Sequence, residues 1–102
     1  MRPLRPPEAS ESLEDVRGAI DDLDREILRL IGSRARYVAT AARFKTDPKG
    51  VRAPERQETM FARRREWAEE EGLDPDFVEG LYRNIVSHFV GREMDHWQGS
   101  NA

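Results

Sequence analysis

The stretch LEDVRGAIDDLDREILRLIGSRARYVATAARFK, residues 13–45, decides the fold of this chain. Its apolar residues recur every three or four positions, which is the spacing of one face of an α-helix. Ser12 precedes the stretch as a good N-cap, with Asp15 in the capping-box position. A helix over residues 13–45 would be about 50 Å long. Its apolar seam consists of Leu13, Val16, Ile20, Leu23, Ile27, Leu30, Tyr37, Ala41 and Phe44.

A helix of this length is too long for one small domain to cover. The chain has 102 residues, and a compact domain of about 100 residues has a radius of gyration of about 13 Å. An apolar seam that extends beyond its own chain requires a second copy, so the seam predicts an intertwined homodimer of long helices. A plain antiparallel coiled-coil adaptor would use the same seam, and the heptads alone leave both arrangements open.

A bend with the sequence TDPKGVRAP, residues 46–54, ends the long helix. Pro48 disfavours helical geometry at the residue before it, and a glycine follows two positions later. Pro54 suits the first position of a second helix, predicted over residues 54–71, and Gly72 suits its C-terminal stop. The predicted inner side of this helix carries Met60, Phe61, Arg64, Trp67 and Ala68.

A third helix opens with Asp74 as N-cap and Pro75 at the first helical position. Without any strand pattern, the predicted fold class is all-α, with three helices per chain, one of them long. The helical domain is predicted over residues 12–98, between a disordered lead-in at 1–11, rich in proline and charge, and a flexible tail at 99–102. The stripe of the third helix consists of Val78, Leu81, Tyr82, Ile85, Val86, Phe89, Val90, Met94 and Trp97.

Composition limits the classes of function that this chain can have. It has no cysteine, which excludes disulfides and thiolate zinc sites, and its two histidines lack ligand-spaced partners. We therefore expect neither a metal nor a cofactor. No apolar run is long enough to span a membrane, and MRPLRPPEAS, residues 1–10, lacks the apolar core of a secretion signal. The sequence predicts a soluble cytoplasmic protein without a membrane partner.

A nucleic-acid binder is one class that the basic residues bring into question. The segment ARRRE, residues 62–66, and the basic bend favour it, but glutamates follow at once at 69–71 and indicate a solvated, self-paired helix face. The formal net charge is −3, whereas proteins that displace counterions from phosphates usually have a clear basic excess. We expect no nucleic-acid partner.

Two charged residues lie where the apolar stripes predict apolar ones. Arg34 continues the seam of the long helix, and Glu93 continues the stripe of the third helix. A buried charge without a partner is costly, so each must meet a partner, a ligand or water. Pairing with each other or extension of the charged head to solvent would also satisfy both. Because a basic bend accompanies them, we favour a small anionic ligand.

Three further basic residues are candidates for the same ligand. Lys45 lies three helical turns beyond Arg34, about 16 Å along the axis and on nearly the same face. Arg56 follows the bend at the start of the second helix, where helix N-termini favour anions. Arg17 lies about 25 Å before Arg34 and about 100° round the helix, too far for the same small anion in one chain. In an antiparallel dimer, Arg17 could complete the partner's site.

Four segments together resemble the all-helical chorismate mutases. They are DVRGAIDDLDREIL (15–28), SRARYVATAARFK (33–45), APER (53–56) and WAEEEGLDPDFVEGLYRNIV (67–86). They follow the order and spacing of the family and extend the resemblance over about residues 13–97. Within the family the chain is most similar to the isochorismate pyruvate lyases, which form salicylate.

The resemblance implies an intertwined dimer with two sites and assigns a role to each basic candidate. It implies that Arg17 is contributed across the dimer, that Arg34 is the main carboxylate-binding arginine and that Arg56 is a second carboxylate contact. Lys45 resembles the lysine that bonds the ether oxygen of the substrate. Glu93 stands where most members have glutamine, and its carboxyl group can donate the hydrogen bond of that glutamine only when it is protonated. Burial would favour the protonated form and Lys45 the ionised form, so the sequence leaves this open.

The chemistry that the resemblance implies is pericyclic and needs no nucleophile. Chorismate and isochorismate are small dicarboxylates, which planar guanidinium groups bind bidentately. Catalysis would come from holding the enolpyruvyl side chain over the ring and from stabilising charge on the ether oxygen.

The substrate itself is left open between three candidates. Many mutases have carboxylates at the positions of Ala53 and Gln57, and Ala53 favours the lyase branch, while Gln57 can bond a hydroxyl. An amino-substituted substrate, 4-amino-4-deoxychorismate, would suit the extra carboxylate of Glu93. Val86 and Phe89 are expected to line the substrate pocket. A non-catalytic helical dimerisation module is the alternative from a different class.

Overall fold

A computed structural model describes residues 6–44 and 54–100 of the chain, without the side chains of 54 and 93–100. It has three α-helices: α1 is Leu13–Ala41, α2 is Pro54–Glu70 and α3 is Pro75–Ser100. Short 3₁₀ turns form at Pro7–Ala9 and Ala42–Phe44. No strand occurs in the described residues. The predicted all-α class with three helices, one of them long, is confirmed. The predicted bend and Lys45 lie outside the described residues.

The first residues of α1 form the cap that the sequence predicts. The Oγ atom of Ser12 accepts a hydrogen bond from the backbone N–H of Asp15 at 3.1 Å. The Asp15 carboxylate in turn accepts one from the backbone N–H of Glu11 at 3.0 Å. The two bonds occupy N–H groups at a helix start, where helical partners are lacking. The far end tightens into 3₁₀ geometry through Phe44, as helix ends commonly do.

The apolar seam of α1 is uncovered in the single chain. No residue of α1 is buried. The large apolar side chains of the seam in α1 have exposed fractions from 39% at Val16 to 79% at Tyr37. A continuous apolar stripe exposed to water along a helix of 29 residues is characteristic of an interaction face.

The structure divides at Tyr37, within α1, into two compact units, and the second contains the hairpin of α2 and α3. Gly72, at φ +73°, ends α2. Its N–H donates to the carbonyl of Glu69 at 3.1 Å, and the N–H of Leu73 donates to the carbonyl of Ala68 at 2.8 Å. This pair of bonds is a Schellman motif, which favours glycine because its backbone is left-handed. The predicted stop at Gly72 is confirmed.

The start of α3 is capped from within the same short connection. The Oδ1 atom of Asp74 accepts a hydrogen bond from the backbone N–H of Asp76 at 2.9 Å, which confirms Asp74 as the N-cap. Pro75 occupies the first helical position. The helix continues to Ser100, beyond the expected end of the domain at residue 98.

The hairpin has a small core of its own. Met60, Phe61 and Ala68 from α2 and Val78 from α3 are each at most 8% exposed. Trp67, predicted on the inner side of α2, keeps 44% of its surface exposed. The two helices thus cover one stripe, while residues at its margins stay partly accessible. The partly buried residues of the α3 stripe are Tyr82, Ile85, Val86, Phe89 and Val90.

Candidate active site

The two predicted arginines of α1 lie at different levels of that helix. Arg34 is half-buried and Arg17 is exposed. Seventeen residues of helix separate them, which corresponds to about 25 Å along the axis. This distance exceeds the size of a small dicarboxylate, so the two guanidinium groups do not share one ligand within one chain. Arg36, two positions after Arg34 and about 200° round the helix, is exposed and bonds Ser33 Oγ at 3.4 Å.

The first turn of α2 carries two predicted contacts to the substrate. Arg56 is exposed and Gln57 is half-buried. Both lie among the first residues of the helix, whose N–H groups have no helical partners and create a local positive potential. A carboxylate near this turn would be stabilised by the guanidinium group and by the helix terminus together.

On α3 the predicted pocket residues share one face. Val86 and Phe89 are half-buried and three positions apart, a spacing that places residues side by side on a helix. The ring of His88 meets that of Phe89 edge to face, with centroids 4.8 Å apart and an angle of 86°. Glu93 belongs to α3 and follows Phe89 by four positions, but its side chain is outside the described residues.

The register of the hairpin follows from ion pairs between its helices. Arg65 of α2 contacts Asp76 at 2.9 Å and Glu79 at 3.1 Å. Arg83 of α3 lies 3.9 Å from Glu58 of α2. From Asp76 to Arg83 the residues of α3 approach the C-terminus, while their partners in α2 approach its N-terminus, from Arg65 to Glu58. The two helices are therefore antiparallel.

Extending this register brings the two helices' candidate residues to one end of the hairpin. Moving back from Glu58 by two residues reaches Arg56. Moving forward from Arg83 by the same number reaches Ile85, which directly precedes Val86. Arg56 and Gln57 therefore lie at about the level of Val86. Arg17 and Arg34 belong to the other compact unit, and Lys45 is outside the described residues, so the structure assembles only the α2 and α3 part of the predicted site.

Glu79 is the acceptor that links the two arginines of the hairpin. Its Oε1 atom accepts from Arg65 at 3.1 Å, and its Oε2 atom accepts from Nε of Arg83 at 2.8 Å. The hydrogen bond from Arg83, with that from Arg65, lowers the pKa of Glu79 below its ordinary value of 4.5. The hydrogen bond to Asp76 raises the pKa of Arg65. Glu79 and Arg65 therefore remain charged around neutral pH.

Arg83 also lies on an aromatic ring, and sequence reasoning missed it. Its guanidinium carbon is 4.3 Å from the centre of the Phe61 ring, within the range of a cation–π contact. The one signal in the sequence was a glutamate four residues before it, at Glu79, which favours a pair along a helix face. The contacts of Arg83 with α2 depend on the register of the two helices, which the sequence alone does not determine.

Arg64 of α2 also lies against aromatic rings. Its guanidinium carbon is 4.8 Å from the centre of the Trp67 ring and 5.5 Å from that of Tyr82. Its apolar stem and planar head thus cover aromatic surface of both helices, as long basic side chains often do. Arg64, which was predicted on the inner side of α2, therefore packs against aromatic residues of both helices.

Among the described residues, no three histidine or acidic side chains form a group that could hold a metal ion. In the same part of the chain, no helix is both long and apolar enough to cross a bilayer. The positive observation is at the start of α2, where the exposed Arg56 lies at about the level of the apolar Val86 of α3, so this end of the hairpin offers a basic group near apolar surface.

Comparison with known proteins identifies relatives of the chain. The model of the family chorismate mutase type II matches residues 16–94. The isochorismate pyruvate lyase of Pseudomonas aeruginosa is 40% identical over 95 residues, covering 93% of this chain and 94% of the relative. The T-proteins of Haemophilus influenzae and Enterobacter agglomerans are 33% and 32% identical over 84 residues. This chain spans 22% of the length of each T-protein.

Proposed function

Because this chain belongs to the chorismate mutase type II family, and is an enzyme of the chorismate mutase or isochorismate pyruvate lyase type, we propose that it converts isochorismate to salicylate and pyruvate. The observation that carries the proposal is the 40% identity to an isochorismate pyruvate lyase over nearly the whole of both chains. We propose the rearrangement of chorismate to prephenate as a weaker activity of the same site.

The arginines would bind the two carboxylates of the substrate. Arg34, half-buried on α1, is suited to a bidentate pair with one carboxylate, because a partly desolvated guanidinium group binds more strongly and with fixed orientation. Arg56, exposed at the first turn of α2, would bind the other. Val86 and Phe89 supply apolar surface at the same end of the hairpin, against which the ring can lie.

Lys45 and Glu93 would act on the reacting ether. As the ether C–O bond breaks, a hydrogen passes from the ring to the methylene of the enolpyruvyl group, so salicylate and pyruvate form without any added reagent. Negative charge develops on the ether oxygen, and the ammonium group of Lys45 would stabilise it. A protonated Glu93 would donate a second hydrogen bond there, whereas its ionised form would repel the same charge. Gln57 would bond the ring hydroxyl.

A homodimer would complete each site. The uncovered seam of α1, with no buried residue along the helix, supports a second copy, since the large apolar side chains would otherwise stay in water. The separation of Arg17 from Arg34 supports a contribution of Arg17 to the partner's site. We place the catalytic domain at residues 12–98, a range that includes the family match, and the enzyme in cytoplasmic salicylate biosynthesis.

A paired assay tests the proposal directly. Purified protein receives isochorismate and chorismate separately, and salicylate and prephenate are measured. We expect kcat/KM for isochorismate to exceed that for chorismate. Prephenate from chorismate without salicylate from isochorismate would make the chain a mutase. Inactivity on both substrates would contradict the proposal and direct the next assay to 4-amino-4-deoxychorismate.

A matched pair of variants tests the role of Arg34. Arg34→Ala removes a carboxylate contact, and we expect kcat/KM to fall by about 100-fold or more, which corresponds to roughly 3 kcal/mol of transition-state binding. Arg36→Ala removes an exposed arginine from the same turn and should leave kcat/KM nearly unchanged. Equal activities of the two variants, both folded and dimeric, would exclude Arg34 from the site.

A further inference from the structure

Arg83 of α3 is held on three sides by contacts that join both helices of the hairpin. Its Nε atom donates to Glu79 at 2.8 Å. Its guanidinium carbon lies 4.3 Å from the centre of the Phe61 ring, and its Nη2 atom lies 3.9 Å from Oε1 of Glu58. Phe61 is 4% exposed and belongs to the hairpin core. The guanidinium group is therefore fixed against a rigid part of the molecule.

These contacts define a position more than they add stability. About half of the Arg83 side chain is exposed, and exposed ion pairs contribute little to the free energy of unfolding. The arrangement is nevertheless directional, because a planar guanidinium group bonds a carboxylate in its plane and stacks a ring on its face. Glu79 is itself held by Arg65 of α2, so the orientation of Arg83 is set from both helices.

The contacts of Arg83 act near the end of α2 that carries the proposed substrate contacts. Glu58 directly follows Gln57, and Phe61 lies one turn further along the helix. The first turn of a helix lacks half of its backbone hydrogen bonds and frays readily. A charged and stacked contact at Glu58 and Phe61 limits that movement.

We propose that Arg83 is a positioning residue for substrate binding, which sets the place of Arg56 and Gln57 by holding Glu58 and Phe61. The inference rests on the proposed function, in which Arg56 binds a substrate carboxylate. Arg83 itself does not touch the substrate. Its effect passes through the placement of the first turn of α2, because a bidentate guanidinium–carboxylate pair depends on the relative position of its two planar groups.

Steady-state kinetics separate positioning from a purely structural role. In Arg83→Ala we expect KM for isochorismate to rise about tenfold while kcat changes much less, since an interaction of the bound substrate is weakened. Arg83→Lys keeps the charge but not the planar fork and should lie between. The matched control is Arg63→Ala, which removes an exposed arginine of α2 that lies 3.9 Å from Glu66. A lower melting temperature with unchanged KM would overturn the proposal.

A double-mutant cycle identifies the residue through which Arg83 acts. Once Arg56→Ala has removed the carboxylate contact, Arg83→Ala should raise KM by much less than its effect in the wild-type background. Residues that act through one another are non-additive in this way, whereas distant independent residues are additive. Additive effects on KM would contradict the proposed path from Arg83 to Arg56.

Hydrogen exchange tests the positioning without any substrate. Arg83→Ala should speed amide exchange in the first two turns of α2 and leave the last turn, next to Gly72, unchanged, while Arg63→Ala should leave both as in the wild type. Unchanged exchange at the start of α2 would overturn the inference, whatever the kinetics show. If the wild-type enzyme converts neither isochorismate nor chorismate, the proposed function fails, and the exchange data still decide whether Arg83 positions α2.

Discussion

Helix α1 and the α2–α3 hairpin obtain their stability in different ways. The hairpin has buried residues on both helices, a Schellman stop, a capped start and ion pairs from one helix to the other. No residue of α1 is buried, although its apolar seam runs along most of its length. An isolated helix in water is marginal even when its sequence favours helix. The difference supports the proposed homodimer, in which a second copy would cover the seam of α1, whereas the hairpin has its own contacts.

The largest expected effect comes from a charge in the seam of α1. Ile27→Asp places a carboxylate where the dimer would bury an apolar side chain, and we expect it to reduce the free energy of unfolding by at least about 3 kcal/mol and to dissociate the dimer. Sedimentation and circular dichroism measure both. Arg25→Asp places the same carboxylate about 200° round the helix and should leave a dimer. A dimer as stable as the wild type in Ile27→Asp would show that the seam is not the interface.

A smaller effect, confined to the hairpin, is expected at the turn between α2 and α3. Gly72 has a φ of +73°, and an L side chain there costs about 1–2 kcal/mol. Gly72→Ala should lower the free energy of unfolding by that amount. Gly80, within α3, has open space where a Cβ would be, so Gly80→Ala should raise it by about 0.5–1 kcal/mol. Denaturant unfolding measures both, and a destabilising Gly80→Ala would mean that α3 is covered at Gly80.

The sequence predicted the parts of this comparison that depend on neighbouring residues. Ser12, Gly72 and Asp74 act through backbone groups within a few positions, so local chemistry was enough to identify them. The pairing of Arg83 with Glu58 and Phe61 joins two helices, and it depends on a register that periodicity does not determine. Trp67 was expected on the inner side because of its type and spacing, but its 44% exposure places it at the edge of the contact between α2 and α3.

The candidate site shows the same division between local and distant information. Arg34 and Glu93 were predicted as site residues because charged residues interrupt apolar stripes, a pattern that the sequence alone contains. Their assembly with Lys45 and with Arg17 of a partner depends on the arrangement of two long helices, and no residue spacing within one chain contains it. Those assignments rest on the family and stay proposals.

We expect the pH dependence of the activity to come from Glu93 in the hairpin and not from a residue of α1. An arginine guanidinium group is not deprotonated in proteins, whereas a carboxyl group such as that of Glu93 can take up a proton in mildly acidic solution. If a protonated Glu93 donates to the ether oxygen, kcat/KM should rise several-fold from neutral to mildly acidic pH. Glu93→Gln donates at every pH and should flatten the profile. A wild-type profile that is flat, and that Glu93→Gln leaves unaltered, would contradict this role.

The smallest expected effect compares two glutamates whose pKa values are lowered by arginine. The hydrogen bond from Arg29, on the same helix, lowers the pKa of Glu26 in α1. Glu79 in the hairpin accepts from Arg83 and from Arg65 of the other helix, and its pKa is lowered too. A carboxyl group with a lowered pKa in the folded state stabilises the fold above its unfolded pKa. That contribution is lost as the pH falls through the folded pKa.

Melting temperatures between about pH 5 and pH 3 therefore measure how much each ion pair stabilises its region. The wild type should lose stability over this interval, and Glu79→Gln should lose less, because the glutamine cannot be protonated there. Glu26→Gln should change the pH dependence of the melting temperature less than Glu79→Gln does. Glu26 pairs with an arginine one turn away on the same helix, whereas Glu79 pairs with arginines of both helices of the hairpin. Equal slopes in both variants would mean that the pairs across the hairpin contribute no more than a pair within α1, and the hairpin would then depend on its apolar core alone.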